Sequence, residues 1–488
     1  MKDLTTIALN RAQLLGATYA DVRILTAREQ GVSVRNGVAQ EVNTVSHAGF
    51  GVRVIIDGAW GFASSATLTP TEMETVTAQA VAIARASALF LRARVDLGPV
   101  EAHRDVYRTP YRINPFDVPV EDKLTLLLET DRRMRVGPDI KVTSGNLVAV
   151  HKHQFFASTE GADIEQEIIE TGGSIMALAV KDGEVQRRSY PNVFRDQHTE
   201  GWEFIERLDF LGHAERVGNE AIALLSAEQC PSGVTTLILD RTQLGLQIHE
   251  SCGHPTELDR VFGTEAAFAG TSFLTPDKLN TLRYGSGLVN LTADATTPGA
   301  LGTFGYDDEG VPAQRVPLVR DGLFVGYLTS RETATQLARL RGEDPALARS
   351  GGTMRASGWN RIPLIRMTNI NLEPGTWDFD DLIADTDEGI YMETNYSWSI
   401  DNLRLNFQFG TELAYEIKGG KFGKLYKNAT YTGITPEFWN GCDAICNAEH
   451  WGVWGVPNCG KGQPSQTAHT GHGAAPARFR NVRVGVMK

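Results

Sequence analysis

The chain has 488 residues, 42% hydrophobic and 22% charged, with a formal net charge of −12. This length predicts two domains, and the acidic balance argues against nucleic acid as a partner. The sequence has no apolar run of about 18 residues and no apolar stretch typical of a signal peptide near its first residue, so we expect no membrane span. Five cysteines do not describe a disulfide framework, which favours a cytoplasmic enzyme or binding protein.

The first 228 residues alternate between helical and strand patterns. Asn36-Gly37 and Asp57-Gly58 are typical of tight hairpin turns, and Thr69-Pro70 is typical of a capped helix start. Helices are predicted at residues 4–16, 70–89, 120–135 and 203–225, and strands at 21–25, 32–35, 51–56, 60–64, 141–152, 163–171, 174–181 and 184–189. Residues 1–228 are therefore predicted to form an α+β domain with helices packed on a mostly antiparallel sheet.

A polar segment at residues 226–233, which contains Pro and Gly, predicts the domain boundary, with a strand-rich C-terminal domain at 229–488. Asp240 is placed to cap the helix that follows the first strand of this domain. Strands are predicted at 234–239, 313–319, 323–328, 369–372, 389–394, 403–410 and 412–418, and short helices at 332–341 and 436–447. The fold class is thus α+β with two domains.

A His-Glu-x-x-x-His motif at residues 249–254 is the most informative segment of the chain. Neutral imidazole is a common metal ligand, and a neighbouring carboxylate can accept a proton from metal-bound water. On an ideal α-helix, rings five residues apart would lie about 140° apart, so the helix must be distorted or end between them. Gly253 is placed to permit this through its backbone freedom. The alternative is a half-buried helix end with two hydrogen-bonded histidines.

A catalytic zinc needs about three protein ligands, so the histidine pair requires a partner. Cys442, Cys446 and His450 recur every four residues. On one straight helix the outer two would lie about 12 Å apart, which is too far for one ion. Buried cysteines in a packed helix are the simpler interpretation of this trio.

Four further residues are candidates for the third ligand. His469 and His472 fall in a predicted loop rich in Gly and Ala, and Cys252 lies inside the motif, with its side chain expected to point away from the pair. Cys459 lies in another predicted loop, two residues before Lys461, and a nearby cation favours thiolate. These arguments place Cys459 only modestly ahead.

A set of further motifs extends along the chain at residues 49–54, 58–65, 306–310, 366–369 and 459–461. Together with the motif at 249–254, they resemble the TldD/PmbA family of metalloproteases, specifically its metal-carrying TldD type, over essentially the whole chain. The resemblance implies one zinc ion per chain, bound by His249, His254 and Cys459, with Glu250 as the catalytic carboxylate.

The same resemblance implies a cytoplasmic peptidase that acts on unfolded or modified peptides. It also implies a dimer, either a homodimer or a heterodimer with a metal-free PmbA-type sister subunit that lacks the motif. The expected mechanism is metal-assisted amide hydrolysis, with Glu250 as general base and then general acid.

An oxyanion stabiliser is also required, and Arg366, Tyr306 and His472 are candidates. For Arg366 the alternative is a structural ion pair with Asp307 or Glu309.

Two other functions remain open at this stage. One is a peptide-binding or regulatory protein with a structural metal, which would need a fourth protein ligand such as Cys252, His469 or His472. The other is a hydrolase of non-peptide amides. Iron and cobalt accept similar ligands to zinc.

Overall fold

The computed structural model describes residues 1–485 and has a mixed α+β fold, as predicted. The helices are α1 (Lys2–Leu14), α2 (Pro70–Ala88), α3 (Val120–Met134), α4 (Glu203–Leu208), α5 (Phe210–Ser226), α6 (Arg241–Ile248), α7 (Leu258–Val261), α8 (Ala266–Ala269), α9 (Arg331–Leu340), α10 (Phe379–Ala384) and α11 (Thr435–Asn440). None of the helices in the described part of the chain combines the length and the apolar character needed to cross a membrane.

The strands fall into a group before and a group after α5. The first group is β1 (Tyr19–Arg35), β2 (Val38–Ile56), β3 (Ala59–Ser65), β4 (Arg104–Arg108), β5 (Ile140–Ser158), β6 (Asp163–Lys181), β7 (Glu184–Tyr190) and β8 (Asp196–His198). The second group is β9 (Glu228–Gln229), β10 (Gly233–Leu239), β11 (Leu291–Asp294), β12 (Arg315–Arg320), β13 (Leu323–Phe324), β14 (Met354–Arg355), β15 (Leu364–Ile365), β16 (Ile370–Leu372), β17 (Glu388–Ile400), β18 (Asn406–Lys418), β19 (Lys421–Lys427), β20 (Thr430–Ile434), β21 (Cys442–Ile445), β22 (Gly452–Lys461), β23 (Gln466–Ala474) and β24 (Ala477–Val484).

The first group forms one sheet in the order β3-β2-β1-β5-β6-β4, and β7 and β8 also pair with β6. Its pairs are antiparallel except for β4 with β6. One core cluster packs α1 and α2 on the first part of β1, and another packs α3, α4 and α5 on its far end. Helices on a mostly antiparallel sheet are therefore confirmed for this half.

The strands of this sheet are longer than predicted. The segments at 21–25 and 32–35 belong to one strand, because Arg28 between them pairs with Ser46 on one side and His151 on the other. The residues between the two segments include exposed polar side chains, so the hydrophobic pattern does not mark them as a strand, although their backbone is hydrogen-bonded on both edges. The helix predicted at 203–225 is broken at Asp209, whose φ is 44° and whose side chain caps α5.

The second group forms a larger sheet in the order β17-β10-β24-β20-β18-β19-β9, with β21 on β24, and a smaller sheet in the order β13-β12-β11-β16. The hairpin β22–β23 stands apart from both, and α6 packs against it. A large apolar cluster fills this half, from Leu237 to Phe479.

Two predictions in this half are wrong. The helix predicted at 436–447 ends at Asn440, and Cys442 lies on β21, so the trio of Cys442, Cys446 and His450 shares no helix. The first two are buried in the core, and His450 contacts Asp378 at 3.1 Å. The segments with Cys459, His469 and His472 are not loops, because they form the hairpin β22–β23.

The loop at residues 306–310 joins the two halves. Asp308 accepts a hydrogen bond at 2.8 Å from Arg23 on β1. Arg53 on β2 pairs with Asp21 at 2.7 Å and lies 3.9 Å from Glu309. All five side chains are buried. We call these five residues the junction, since they tie the N-terminal sheet to the C-terminal half.

Two glycines of β2 let the C-terminal half approach the sheet. A Cβ on Gly49 would lie 2.3 Å from the Trp359 ring, and one on Gly51 would lie 2.4 Å from the Trp359 carbonyl oxygen. Such contacts exclude any side chain at either position. These glycines of the 49–54 motif are thus explained by packing between the halves.

Candidate metal centre

A distorted helix brings the two motif histidines to one side. Asp240 caps α6 as predicted, since its carboxylate accepts from the backbone N–H groups of Thr242 and Gln243. After α6 the chain forms a π-helical turn, His249–Gly253, in which the His254 N–H donates to the His249 carbonyl. A π-turn inserts an i→i+5 hydrogen bond into a helix. The expected distortion is therefore present between the two histidines.

Gly253 has a different role from the one expected. Its φ is −57°, an ordinary helical value. A Cβ at this position would lie 2.1 Å from the Met367 sulfur. The absent side chain makes room for Met367, and backbone freedom is not what the turn requires.

The structure brings His249, His254 and Cys459 together. The two imidazole centroids are 4.9 Å apart with the planes at 89°, and the Cys459 Sγ lies 3.7 Å from the His254 Nε2. One donor atom from each of the three lies within 4.8 Å of the others, and all three residues are buried. Donors of a tetrahedral zinc lie roughly 3.3–3.8 Å apart, given bond lengths of about 2.0–2.3 Å. Small side-chain rotations would thus fit one ion.

Hydrogen bonds orient both imidazoles. The His249 Nδ1 lies 2.7 Å from the His472 Nε2, and the His254 Nδ1 lies 3.0 Å from the Glu257 carboxylate. Each ring therefore keeps its Nε2 for a metal, the arrangement that ligating histidines usually have. Burial lowers the pKa of both His249 and His254, which favours the neutral form that binds metal.

The environment of Cys459 favours thiolate. Burial raises the pKa of this thiol, but the charge of Arg366 and the contact with His254 outweigh burial and lower it overall. Arg366 also donates to the Cys459 carbonyl at 2.6 Å and to the Gln466 carbonyl, so it bridges the hairpin β22–β23. It forms neither of the ion pairs considered for it. Two neutral imidazoles and a thiolate are a donor set that zinc accepts.

Lys461 has a structural role behind the cluster. Its ammonium, fully buried, donates to Asp259 at 2.6 Å and to the Ile365 carbonyl at 2.7 Å, and it lies 3.4 Å from Glu257. The cation expected to favour the thiolate is thus Arg366, whereas Lys461 holds the carboxylate that orients His254.

Glu250 lies beside the metal cluster and lines a cavity of about 270 Å³, which we call the cleft. The Arg404 guanidinium donates to the Glu250 carboxylate at 2.5 Å. The four motif residues His249, Glu250, His254 and Cys459 all line the cleft. The N-terminal half contributes Asn192, Phe194 and Arg195, and the C-terminal half contributes aromatic residues that include Trp398 and Trp454.

Other candidates lie elsewhere. The Tyr306 hydroxyl donates to Asp105, and His469 pairs with Glu170 at 2.6 Å. Cys252 is buried in the apolar core, as expected for a side chain that points away from the pair. His472 supports His249 from behind and does not line the cleft. In residues 1–485, no fourth His, Cys, Asp or Glu joins the metal cluster.

Sequence reasoning missed Glu257, Arg195 and Arg404. Glu257 had a signal, since it follows the second histidine by only three residues, directly after the short 3₁₀ turn at His254–Thr256. Arg404 is 154 residues from Glu250 in sequence, and Arg195 comes from the other half of the chain. No local pattern connects either arginine with the motif.

Three metallopeptidase family models match successive parts of this fold. The PmbA/TldA metallopeptidase domain 1 model matches residues 20–84, the central domain model matches 113–225, and the C-terminal domain model matches 232–485. The chain belongs to the PmbA/TldA metallopeptidase family, which confirms the resemblance noted in the sequence.

Curated relatives carry metalloprotease names. One from Methanocaldococcus jannaschii is 32% identical over 88% of this chain and 89% of its own length. A zinc metalloprotease TldD homolog from Saccharolobus solfataricus is 22% identical over 98% of both chains. TldE from Thermococcus kodakarensis has the same fold, with a TM-score of 0.71 at 16% identity over 99% of this chain and 100% of its own. A solved structure from Thermotoga maritima has a TM-score of 0.77 at 18% identity over the same shares.

Proposed function

We propose that the protein is a zinc-dependent peptidase that hydrolyses peptide bonds of unfolded or modified peptides. The observation that carries this proposal is the three-donor cluster of His249, His254 and Cys459 in a cleft that also holds Glu250. A zinc ion held by these donors would supply Lewis acidity to water and to the substrate carbonyl. The metalloprotease names of the relatives support the same class of reaction.

Glu250 is the proposed proton carrier. Its carboxylate lines the cleft next to His249, where it can accept a proton from the attacking water and then deliver it to the departing amine. Arg404 holds one of its oxygens and so fixes the direction of the carboxylate. The other oxygen remains for the proton.

The narrow cleft favours an extended chain as substrate. A volume of about 270 Å³ accommodates a few residues and excludes a folded domain. We further propose that the protein works as a homodimer or as a heterodimer with a metal-free PmbA-type sister subunit. The alternative of a structural metal would need a fourth protein donor, and Cys252 and His469 lie outside the cluster.

Mass spectrometry of a mixed peptide pool tests the peptidase function. Wild type and Glu250→Gln would be compared at equal zinc content, because this substitution keeps the shape of the side chain and removes the base. We expect cleavage by the wild type and a loss of at least about a hundredfold in the variant. Equal cleavage by both would contradict the role of Glu250. Silence from both, also after addition of a metal-free sister subunit, would favour a structural metal.

A further inference from the structure

Two arginines in the cleft, Arg195 and Arg404, make fewer hydrogen bonds than their N–H groups allow. Arg404 donates to Glu250 through Nη1, and its Nε is buried without a hydrogen-bond partner. Arg195 donates through Nε to the neutral Gln197 amide at 3.2 Å. Across residues 1–485, no carboxylate lies within ion-pair distance of Arg195. A guanidinium has five N–H donors, so both side chains retain donors for a ligand.

The two arginines come from different halves of the chain. Arg195 follows β7 in the N-terminal half, and Arg404 lies in the turn between β17 and β18. Each has a positive φ, 64° and 63°, a backbone conformation that is uncommon for a residue with a side chain. Arg404 shares one carboxylate, that of Glu250, and Arg195 has none, whereas Arg188 outside the cleft is buried against three glutamates. The cleft therefore concentrates cationic groups that the protein itself neutralises only in part.

Resting on the proposed peptidase function, we propose that the cleft recognises a carboxylate of the peptide substrate through Arg195 and Arg404. A guanidinium binds a carboxylate through paired, charge-assisted hydrogen bonds, which are strongest where water is excluded. Phe194 and Trp398 also line the cleft and pack edge to face on each other, with ring centroids 5.5 Å apart, and both are exposed. This aromatic wall suits an apolar residue next to the carboxylate.

The carboxylate has two sources in a peptide: the free C-terminus and an Asp or Glu side chain. Three fluorescent versions of one apolar peptide would separate them, one with a free C-terminus, one amidated, and one amidated with an internal glutamate. Binding would be measured by fluorescence anisotropy with zinc-loaded Glu250→Gln protein, and repeated with zinc-free wild type, because Glu250→Gln also removes the carboxylate partner of Arg404. Cleavage of the same peptides would be measured with wild type.

We expect at least one carboxylate peptide to bind about ten- to a hundredfold more tightly than the neutral peptide. Adding Arg195→Gln to the Glu250→Gln protein should remove most of the preference for carboxylate peptides. The affinity for the neutral peptide should stay within about twofold. Arg195→Lys, which keeps the positive charge, should retain part of the preference that Arg195→Gln loses. In the same background, Arg320→Gln, at an exposed position on β12 outside the cleft, should change neither affinity.

Equal affinity for all three peptides, or a preference that survives Arg195→Gln and Arg404→Gln together, would overturn carboxylate recognition. Cleavage without a carboxylate preference would also overturn carboxylate recognition, but it would leave the peptidase function intact. A carboxylate preference in binding with no cleavage of any peptide would support recognition and count against the peptidase function.

Discussion

The junction and the metal centre both contain buried ionisable groups from sequence motifs, but they use them differently. At the junction, each carboxylate accepts hydrogen bonds or faces a guanidinium, as Asp308 does with Arg23 and Asp21 with Arg53. At the metal centre, the facing atoms of His249, His254 and Cys459 converge beside an open cleft. Ion-paired groups hold the halves together, whereas metal-donor atoms that converge beside a cleft indicate chemistry. A motif alone does not distinguish the two.

Among substitutions that separate the metal centre from the junction, replacing a proposed metal ligand should have the largest effect. Cys459→Ala removes the thiolate, and we expect zinc affinity to fall by more than about a hundredfold, because even the loss of a residue that only orients a metal ligand costs tenfold to a hundredfold. Metal content after dialysis against a weak chelator would measure the loss.

Cys252→Ala is the matched control, since Cys252 lies within the motif and outside the cluster. It should retain about one zinc ion per chain. Loss of metal from Cys252→Ala and retention by Cys459→Ala would assign the ligands the other way round.

Breaking the junction should lower stability and leave the metal in place. Arg53→Met leaves Asp21 and Glu309 buried without their cation, and we expect a loss of about 3–5 kcal/mol in the free energy of unfolding. Urea unfolding followed by circular dichroism would measure it. Arg132→Met, at an exposed helix position, should cause no measurable change. Loss of zinc from folded Arg53→Met protein would show that the two regions are coupled.

A smaller effect on stability is expected from the change in protonation of His198, on β8, with pH. Burial lowers the pKa of this imidazole, but Asp196 and Glu200 outweigh burial and raise it to about 9. A raised pKa stabilises the fold fully below the unfolded value near 6.5, and this stabilisation is lost as pH rises from about 6.5 to 9. Its size should be about 3 kcal/mol, since the pKa rises from about 6.5 to about 9 and each pKa unit corresponds to roughly 1.4 kcal/mol.

The difference in unfolding free energy between wild type and His198→Gln, measured at pH 6 and at pH 9.5, would reveal this contribution. The difference should shrink at the higher pH. A constant difference would mean that His198 does not carry a proton in the folded protein at pH 6.

Local signals predicted the local structure well. The turns at 36–37 and 57–58, the caps at Thr69 and Asp240, and most helix positions follow from single residues and their neighbours. The continuity of β1 did not, because it depends on pairing with β2 and β5, far along the chain. Short apolar runs mark only the buried parts of such a strand.

Prediction of the site from the sequence was limited in the same way. The motif at 249–254 is contiguous and was evident, whereas the choice of Cys459 over other candidates rested on family resemblance. In the fold, Cys459 lies on β22 and is held beside the motif by its contacts with Arg366 and His254. Such contacts join residues about 100–200 positions apart. No spacing rule contains them.

The π-turn also constrains how this motif can change in length. Geometrically, such a turn is a one-residue insertion into an α-helix. Deleting Ser251 or Cys252 would restore a four-residue histidine spacing, but every residue after the deletion would rotate by about 100° about the helix axis. His254 and Glu257 would then turn together away from Cys459 and Lys461, and the Thr256 carbonyl would leave the Leu328 N–H that it now accepts from. The longer spacing and the residues that support it therefore form one unit, and neither can be shortened or replaced without rebuilding the other.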